Sequence, residues 1–443
     1  METKIITPST RRIGRRAALG LGAAALSAGG TFTLTSCGGS SGGAPGKSTV
    51  TFVFYGDADR QKEYQALFNA FTQANPDIAI KAQGVPAATW ADFLNTISTR
   101  LAGGQQIDTV LVATEGQRLF ASKGLLEPLD DYLAKDQAFV DELYQDTPPQ
   151  LITWLKEFAS PDGKTYYMPL AYNTMAMYVA LDVFKAAGLD LPDEEWTWDD
   201  FRQAGRTIKD KTGAFLMPSG SGYFVNVMPW LVTNGTSTMD PTWTQSTFGS
   251  PEAIEALTFV RSLIVDGLSP KPGGTFDAGT QLSRGKLACL GGGRWPTPDL
   301  QRLKVAERVQ LYRWPKNKAA GAPVGWEGIP ILKNSKNKDA AWSFIKFLMS
   351  EPFGDAFTKS QSTSVPARIS DATGKDFLAK APKNSELLYE QLEFATPVPS
   401  PERATECQKV IEEAWLQGIT GNKTPEAALG EAHAKLQELL QPR

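Results

Sequence analysis

The chain reads as an α/β protein of two lobes, each a doubly wound sheet with helices on both faces. Three observations carry this expectation. From Thr49 onward, β-branched and aromatic runs alternate with segments of helical periodicity, the β-α-β-α-β order of a layered α/β lobe. The run Asp108-Thr109-Val110-Leu111-Val112-Ala113 is the continuous apolar kind expected when both sheet faces are covered. Setting aside the first 36 residues leaves just over 400 of 443, more than one core usually serves.

Val50-Thr51-Phe52-Val53-Phe54-Tyr55 alternates as a first strand and ends at Gly56-Asp57. Tyr64, Leu67, Phe68 and Phe71 recur at helical spacing, and Asn75-Pro76 stops that helix. Ile78–Ala82 is the second strand, Trp90–Leu101 an amphipathic helix closed by Gly103-Gly104, and Asp108–Ala113 the third strand. Helical spacing resumes over Gly116–Ala121, followed by a turn at Gly124 and Leu125–Leu129. Asp162-Gly163 reads as a hairpin turn, and Thr165–Leu170 as a strand leading into Met175–Val179. Thr197 suits a helix N-cap, with Asp199 and Asp200 in the first turn, where carboxylates offset the helix dipole. Further helices are expected over Pro251–Val265, Asp339–Leu348, Ala404–Gly418 and Pro425–Leu440. Further strands are expected over Lys286–Leu290, Val309–Arg313 and Gly328–Leu332. Trp198 and Trp342 sit in helical patterns with apolar neighbours and read as core.

The N-terminus carries an address. Arg11, Arg12, Arg15 and Arg16 precede a small, apolar, uncharged run from Ala17 to Phe32, then Leu34-Thr35-Ser36-Cys37. That order is a secretory signal peptide over 1–36, with a twin-arginine pair and a lipobox-like Cys37 as the acylated residue. The alternative of a transmembrane anchor meets a run shorter than the ~20 apolar residues a span needs. Residues 37–48 are Gly/Ser/Pro-rich and read as a flexible tether. The expected location is the outer face of the cell membrane, extracellular or periplasmic, held there by lipid on Cys37.

The chain has 45 basic and 48 acidic residues, and beyond residue 36 the net charge is −7. Nucleic acid is excluded as a partner, since phosphate neutralisation needs a basic stripe. Beyond Cys37, only Cys289 and Cys407 remain; they read as two buried thiols, with one disulfide as the alternative. With no Cys-x-x-Cys and one histidine, His433, which reads as a surface residue, no metal or other cofactor is expected. That scarcity also weakens Ser-His-Asp and Cys-His catalysis.

Ordered motifs now point to a family. They are Phe54-Tyr55, Asn75-Pro76-Asp77-Ile78, Asp108-Thr109-Val110 and Lys123-Gly124-Leu125-Leu126-Glu127-Pro128-Leu129-Asp130. Tyr167-Met168-Pro169-Leu170, Trp196-Thr197-Trp198-Asp199-Asp200-Phe201, Arg284-Gly285-Lys286-Leu287-Ala288 and Gly292-Gly293-Arg294-Trp295 follow. The series continues with Gly328-Ile329-Pro330-Ile331, Ala340–Leu348, Ser364-Val365-Pro366-Ala367-Arg368 and Thr424–Leu429. From about Thr49 on, the chain resembles the family 1 extracellular solute-binding proteins of carbohydrate ABC importers. One departure is Val179-Ala180-Leu181-Asp182, where the family usually continues Tyr-Asn-Lys. The resemblance implies a periplasmic-binding-protein-like fold whose hinge the chain crosses three times. By pattern, the first lobe is 49–171 and 309–345, and the second 172–308 and 346–443. It also implies a monomer that captures a sugar or oligosaccharide by hinge closure and delivers it to membrane permease subunits, without catalysis.

A sugar presents C–H faces to aromatic rings and hydroxyls to carboxylates, amides and guanidinium groups. Trp295 with Arg294 in the Gly-rich Gly291–Trp295 stretch is the leading stacking candidate, with Trp326 and Glu327 beside it. Tyr223 and Trp230 follow the loop Pro218–Gly222, where the family lines its second lobe. Ligands of open α/β sheets bind beyond the carboxyl ends of strands, which nominates Tyr55, Asp57, Thr114 and Glu115; Asn173 lies at the first crossing. A non-sugar solute (polyamine, glycerol phosphate or an anion) is the alternative cargo. A secreted glycoside hydrolase is the alternative class, needing two carboxyls about 5–10 Å apart.

Overall fold

A computed structural model describes residues 47–441 apart from 274–275, 361 and 380. The signal peptide, Cys37 and nearly all of the tether lie outside the described residues. Three sheets, two mixed and one antiparallel, organise the rest. The first has the strand order Ile78–Val85, Ser48–Tyr55, Thr109–Val110, Ile331–Leu332, Leu126–Glu127. Its first three strands are parallel and the last two join antiparallel. Alternation along Ser48–Tyr55 sends Val50, Phe52 and Phe54 into one apolar cluster and Val53 into another, so both faces are covered. Phe52 lies edge-on to Tyr64, Phe68 and Phe344, each with ring centroids within 6 Å.

The second sheet orders Val365–Pro366, Met168–Thr174, Ala322–Ile329, Ala395–Pro397, with Val112–Ala113 added on Ala322–Ile329. The third pairs Ala176–Ala180 antiparallel with both Cys289–Gly292 and Val309–Tyr312. The second sheet is therefore the bridge. Met168–Thr174 leaves it for Ala176–Ala180 of the third sheet, and Ala322–Ile329 returns from the third sheet towards Ile331–Leu332 of the first.

Most element expectations hold with shifts. Asp162-Gly163, however, is not a hairpin turn, since the helix Pro149–Glu157 precedes it and the next strand begins at Met168. Gly328–Leu332 divides at Pro330 between two sheets. Asp108–Ala113 is not one strand: it splits at Leu111, Thr109–Val110 joining the first sheet and Val112–Ala113 the second. The helix from Tyr64 to Phe71 breaks at Phe68 into Ala58–Leu67 and Asn69–Ala74. Thr197 caps Trp198–Thr212 in a reciprocal capping box with Asp200. The strand expected at Lys286–Leu290 lies at Cys289–Gly292. Ser48 already belongs to the first strand, so the tether ends sooner than expected.

Two boundaries placed by pattern fall inside packing units. Val309–Tyr312 pairs with Ala176–Ala180, so the return to the first sheet begins after it, not at 309. Leu348, Met349, Phe353 and Phe357 pack with Val50, Phe52 and Phe54, so the first core continues past 345. Helix Lys338–Leu348 runs on into Glu351–Lys359 around the same apolar face, which gives no reason to cross there. Cys289 and Cys407 are separate buried thiols. Burial drives both thiol pKa values up, that of Cys407 to about 12. His433 is half-buried, with Nδ1 enclosed and unpartnered, not a plain surface residue.

Asp108, just before Thr109–Val110, ties the strand Ser48–Tyr55 to the segment after Ile331–Leu332. Its Oδ2 accepts from Thr51 N at 2.8 Å, and its Oδ1 from Ser335 Oγ at 2.6 Å and Asn337 Nδ2 at 3.3 Å. Asp108→Ala removes the acceptor of buried Ser335 and of half-buried Thr51 and Asn337, the last of which keeps a bond to Thr49 O. An orphaned buried group costs about 1–3 kcal/mol. We expect a loss of about 3 kcal/mol in urea unfolding; an unchanged midpoint contradicts this account of Asp108.

Candidate functional site

The carboxyl ends of the first sheet's strands, the second sheet and the helix Ala404–Thr420 enclose a cavity of about 540 Å³. Eight of the eleven nominated ligand-binding residues line it: Tyr55, Thr114, Glu115, Asn173, Tyr223, Trp295, Trp326 and Glu327. Two larger hollows, of about 920 and 970 Å³, contain only one of them, Trp295.

Tyr55 closes the first strand. Its ring tilts against Trp90 at 4.9 Å and Phe93 at 5.9 Å, and its hydroxyl donates to Ala87 O at 3.0 Å. Burial, then the charge of Asp92, pushes its pKa up. Trp90 starts the helix Trp90–Ala102, whose N-cap Thr89 accepts from Asp92 N. The two rings thus sit where a strand end and a helix start converge.

The chain next reaches the cavity through Val112–Ala113, which opens directly into the helix Thr114–Ser122. Thr114 Oγ1 accepts from Trp326 N at 2.7 Å and donates to Trp326 O at 3.0 Å, stitching that helix to the strand Ala322–Ile329. Trp326 in turn donates Nε1 to Gln117 Oε1 at 2.8 Å and stacks on Trp154 at 5.4 Å and 22°. Its ring is therefore clamped as a rigid wall.

Glu115 occupies the first turn of that helix. Burial raises its carboxyl pKa to about 7, opposed by its own backbone N–H and reinforced by Glu327 and Glu412. The folded pKa lies above the unfolded one, so the native chain binds more protons between about pH 4.5 and 7. This contribution is largest in acid and is lost as pH rises towards 7, by at most about 1.4 kcal/mol per pH unit. Glu115→Gln is expected to flatten that decline in denaturant midpoints between pH 5 and 8; an unchanged profile contradicts the assignment.

A hydrogen-bond chain crosses the floor. Asn173 Nδ2 donates to Ser364 Oγ at 3.2 Å, and Ser364 Oγ donates to Glu327 Oε1 at 2.9 Å. Asn173 Oδ1 accepts from Arg294 N at 2.8 Å. Burial raises the pKa of Glu327, partly opposed by Ser364 and by the charge of Arg60. Arg60 itself is held by Glu63 at 3.2 Å and Thr363 Oγ1 at 3.1 Å, 5.6 Å above the Tyr64 ring.

The opposite wall comes from a single π-helical turn, Tyr223–Val227, and the helix Ala404–Thr420. Tyr223 N donates to Glu412 Oε1 at 2.9 Å, and its hydroxyl is spent on Thr238 Oγ1 at 2.6 Å and Pro399 O at 3.1 Å. Burial pushes its pKa well up. Phe224 faces half-buried Trp295 at 5.9 Å and 49°.

Three nominated residues are elsewhere. Asp57 is the N-cap of Ala58–Leu67, accepting from Asp59 N and Arg60 N; these bonds lower its pKa and hold it outside the cavity. Trp230 belongs to Met228–Val232, a helix buried on every side, and packs on Trp198, Phe259 and Trp314. Arg294 is 3 % exposed, donating Nε to Ser362 O at 3.1 Å and Nη2 to Phe377 O at 3.0 Å. Its guanidinium lies 3.9 Å from the Phe377 ring centroid. Arg294 is a buried peg beside the cavity, not part of its lining.

Sequence reasoning missed Arg60, Tyr64, Trp90, Phe224, Ser364, Gln408 and Glu412, all in the lining. Trp90 and Phe224 adjoin features already singled out, a helix start and the residue after Tyr223. Gln408 and Glu412 share one helix face by their spacing of four, a pattern ordinary surface helices also show.

Similarity to known proteins agrees with this geometry. A binding protein of Brucella abortus (strain 2308) is 26% identical over 399 residues, 85% of this chain and 89% of that one. A mannitol-binding protein of Pseudomonas aeruginosa is 25% identical over 362 residues, 76% of this chain and 78% of that one. An ABC substrate-binding protein of Listeria monocytogenes, solved with cycloalternan, superposes with TM-score 0.77 at 22% identity. That superposition covers 89% of this chain and 99% of the Listeria one, and shows a shared fold. Among the described residues no helix is long and apolar enough to cross a membrane. The signature of bacterial extracellular solute-binding proteins matches residues 57–353, and the chain belongs to that family.

Proposed function

We propose that this chain is the substrate-binding component of an ABC importer, capturing a sugar or short oligosaccharide by closure of two lobes. The observation that carries the reading is the cavity's make-up. Half-buried rings of Tyr55, Trp90, Phe224 and Trp295, with the clamped Trp326, share one enclosed space with Glu115, Glu327 and Glu412. Rings suit the C–H faces of a pyranose, and carboxylates accept from its rim hydroxyls. The volume lies within the usual 300–1,000 Å³ range for small-ligand sites. The mannitol-binding relative and the cycloalternan-bound neighbour point to the same ligand class.

The hinge of this reading is the second sheet, through Met168–Thr174, Ala322–Ile329 and Val365–Pro366, with lobes built on the first and third sheets. Lipid on Cys37 after removal of residues 1–36 would hold the monomer near its permease. Its action is capture, not hydrolysis, as in the family to which it belongs.

Calorimetry with a panel of neutral sugars, sugar alcohols and amino sugars, plus spermidine and glycerol 3-phosphate, tests the cargo. At least one carbohydrate is expected to bind, without release of reducing sugar from an oligosaccharide. Tight binding of spermidine or glycerol 3-phosphate, with none of any carbohydrate, sinks the sugar reading.

A further inference from the structure

The cavity's charges are unevenly placed. Its acidic and basic side chains are Arg60, Glu115, Glu327 and Glu412; Tyr55, Tyr64 and Tyr223 are the tyrosines of the lining. Arg60 offsets Glu327, and Ser364 donates to its carboxyl group. Glu115 and Glu412 come from the helices Thr114–Ser122 and Ala404–Thr420, which pack against each other, and after burial Glu327 and then Glu412 raise the pKa of Glu115. Arg60 is the one lysine, arginine or histidine among the lining residues, against three carboxyl groups.

Gln408 supplies an independent sign that something is to be received there. It is 9 % exposed on the cavity wall, and its Nε2 donates to Glu412 Oε1 at 2.9 Å. That bond fixes the amide, because the flipped form would set two acceptors against each other. Gln408 Oε1 is left as a buried acceptor without a donor, a costly state that a ligand N–H would relieve. The need beside Gln408 is for donors and positive charge together. A hydroxyl brings one donor and no charge; an ammonium brings three donors and a full charge.

We propose that the captured carbohydrate carries a protonated amine, seated between Glu115 and Glu412 and donating to Gln408 Oε1. This rests on the carbohydrate reading and narrows it to amino sugars. The sugar ring lies against Phe224 and Trp295, and the amine end faces the two helices. Arg60 and Glu327 offset each other and are left to neutral hydroxyls.

Calorimetry of the full chain at pH 7 with three pairs tests it: D-glucosamine against D-glucose, D-galactosamine against D-galactose, and the β-1,4 glucosamine disaccharide against cellobiose. In at least one pair the amine is expected to bind about tenfold or more tightly, the size of one charge-assisted hydrogen bond. Glu412→Gln and Glu115→Gln should each cut that preference to within about threefold. Hydroxyl sugars binding as tightly as their amino partners in every pair overturn the proposal while leaving sugar capture standing. So does a preference that survives both substitutions. Absence of binding by any sugar, charged or neutral, removes the carbohydrate reading and this inference together.

Discussion

Trp295→Ala is expected to weaken carbohydrate binding by about thirtyfold or more, close to 2 kcal/mol, with little change in stability. Trp295 is half-buried at the cavity and paired with Phe224 at 5.9 Å. A ligand ring covering it would therefore bury much of its remaining apolar face. The backbone is arranged for this. A Cβ on Gly293 would lie 2.5 Å from both the Trp295 ring and Asn173 Oδ1, so only glycine lets the ring and the amide close over that position. Trp295→Phe should recover part of the loss, because it restores a flat face of smaller area. An affinity unchanged in Trp295→Ala contradicts the placement of the sugar, whatever sugar binds.

The second large effect is on stability. Arg294→Met is expected to cost about 3 kcal/mol in urea unfolding. The guanidinium satisfies the carbonyls of Ser362 and Phe377 and lies on the Phe377 ring. Removal orphans two buried acceptors and loses a desolvated cation–π contact. The peg's neighbour Tyr178 donates its hydroxyl to Gly293 O, so the glycine stretch is held from both sides. Under conditions where the variant remains folded, sugar affinity should change by less than about threefold, since no Arg294 atom reaches the lining. The reverse pattern, intact stability with lost affinity, would falsify the structural role and return Arg294 to the ligand.

The pair Arg294 and Trp295 shows where a sequence stops being readable. A Gly-rich stretch before an arginine and a tryptophan invites both into a site, and the chain needs only one there. Which of two adjacent side chains turns inward depends on partners far away in sequence, here Ser362 and Phe377. Asp57 is legible as a cap, because an aspartate immediately before a helical pattern accepts from the first-turn N–H groups. Trp230 likewise lies in Met-Pro-Trp-Leu-Val, apolar on all sides and hence interior.

The first sheet was legible because Val50, Phe52 and Phe54 alternate, and period two leaves little choice of face. The break at Leu111 was not. An all-apolar run says that a strand is buried, not that it changes sheets halfway. For the same reason Val309–Tyr312 gave no hint that Ala176–Ala180 was its partner. In the site, strand ends gave Tyr55, Thr114 and Glu115, and loop aromatics gave Tyr223, Trp295 and Trp326. Gln408 and Glu412 were invisible, since their helix meets the cavity through tertiary packing against the Tyr223 turn and the helix Thr114–Ser122.

A crystal structure with the tightest-binding sugar from the calorimetric panel tests the central claim most directly. The account predicts one ligand inside the Tyr55–Trp295–Trp326 cavity, a ring against Trp295, hydrogen bonds to Glu115 and Glu412, and the second sheet as the axis of closure. A sugar bound in either of the larger hollows, or against Asp57 and Arg294 with the cavity empty, contradicts it.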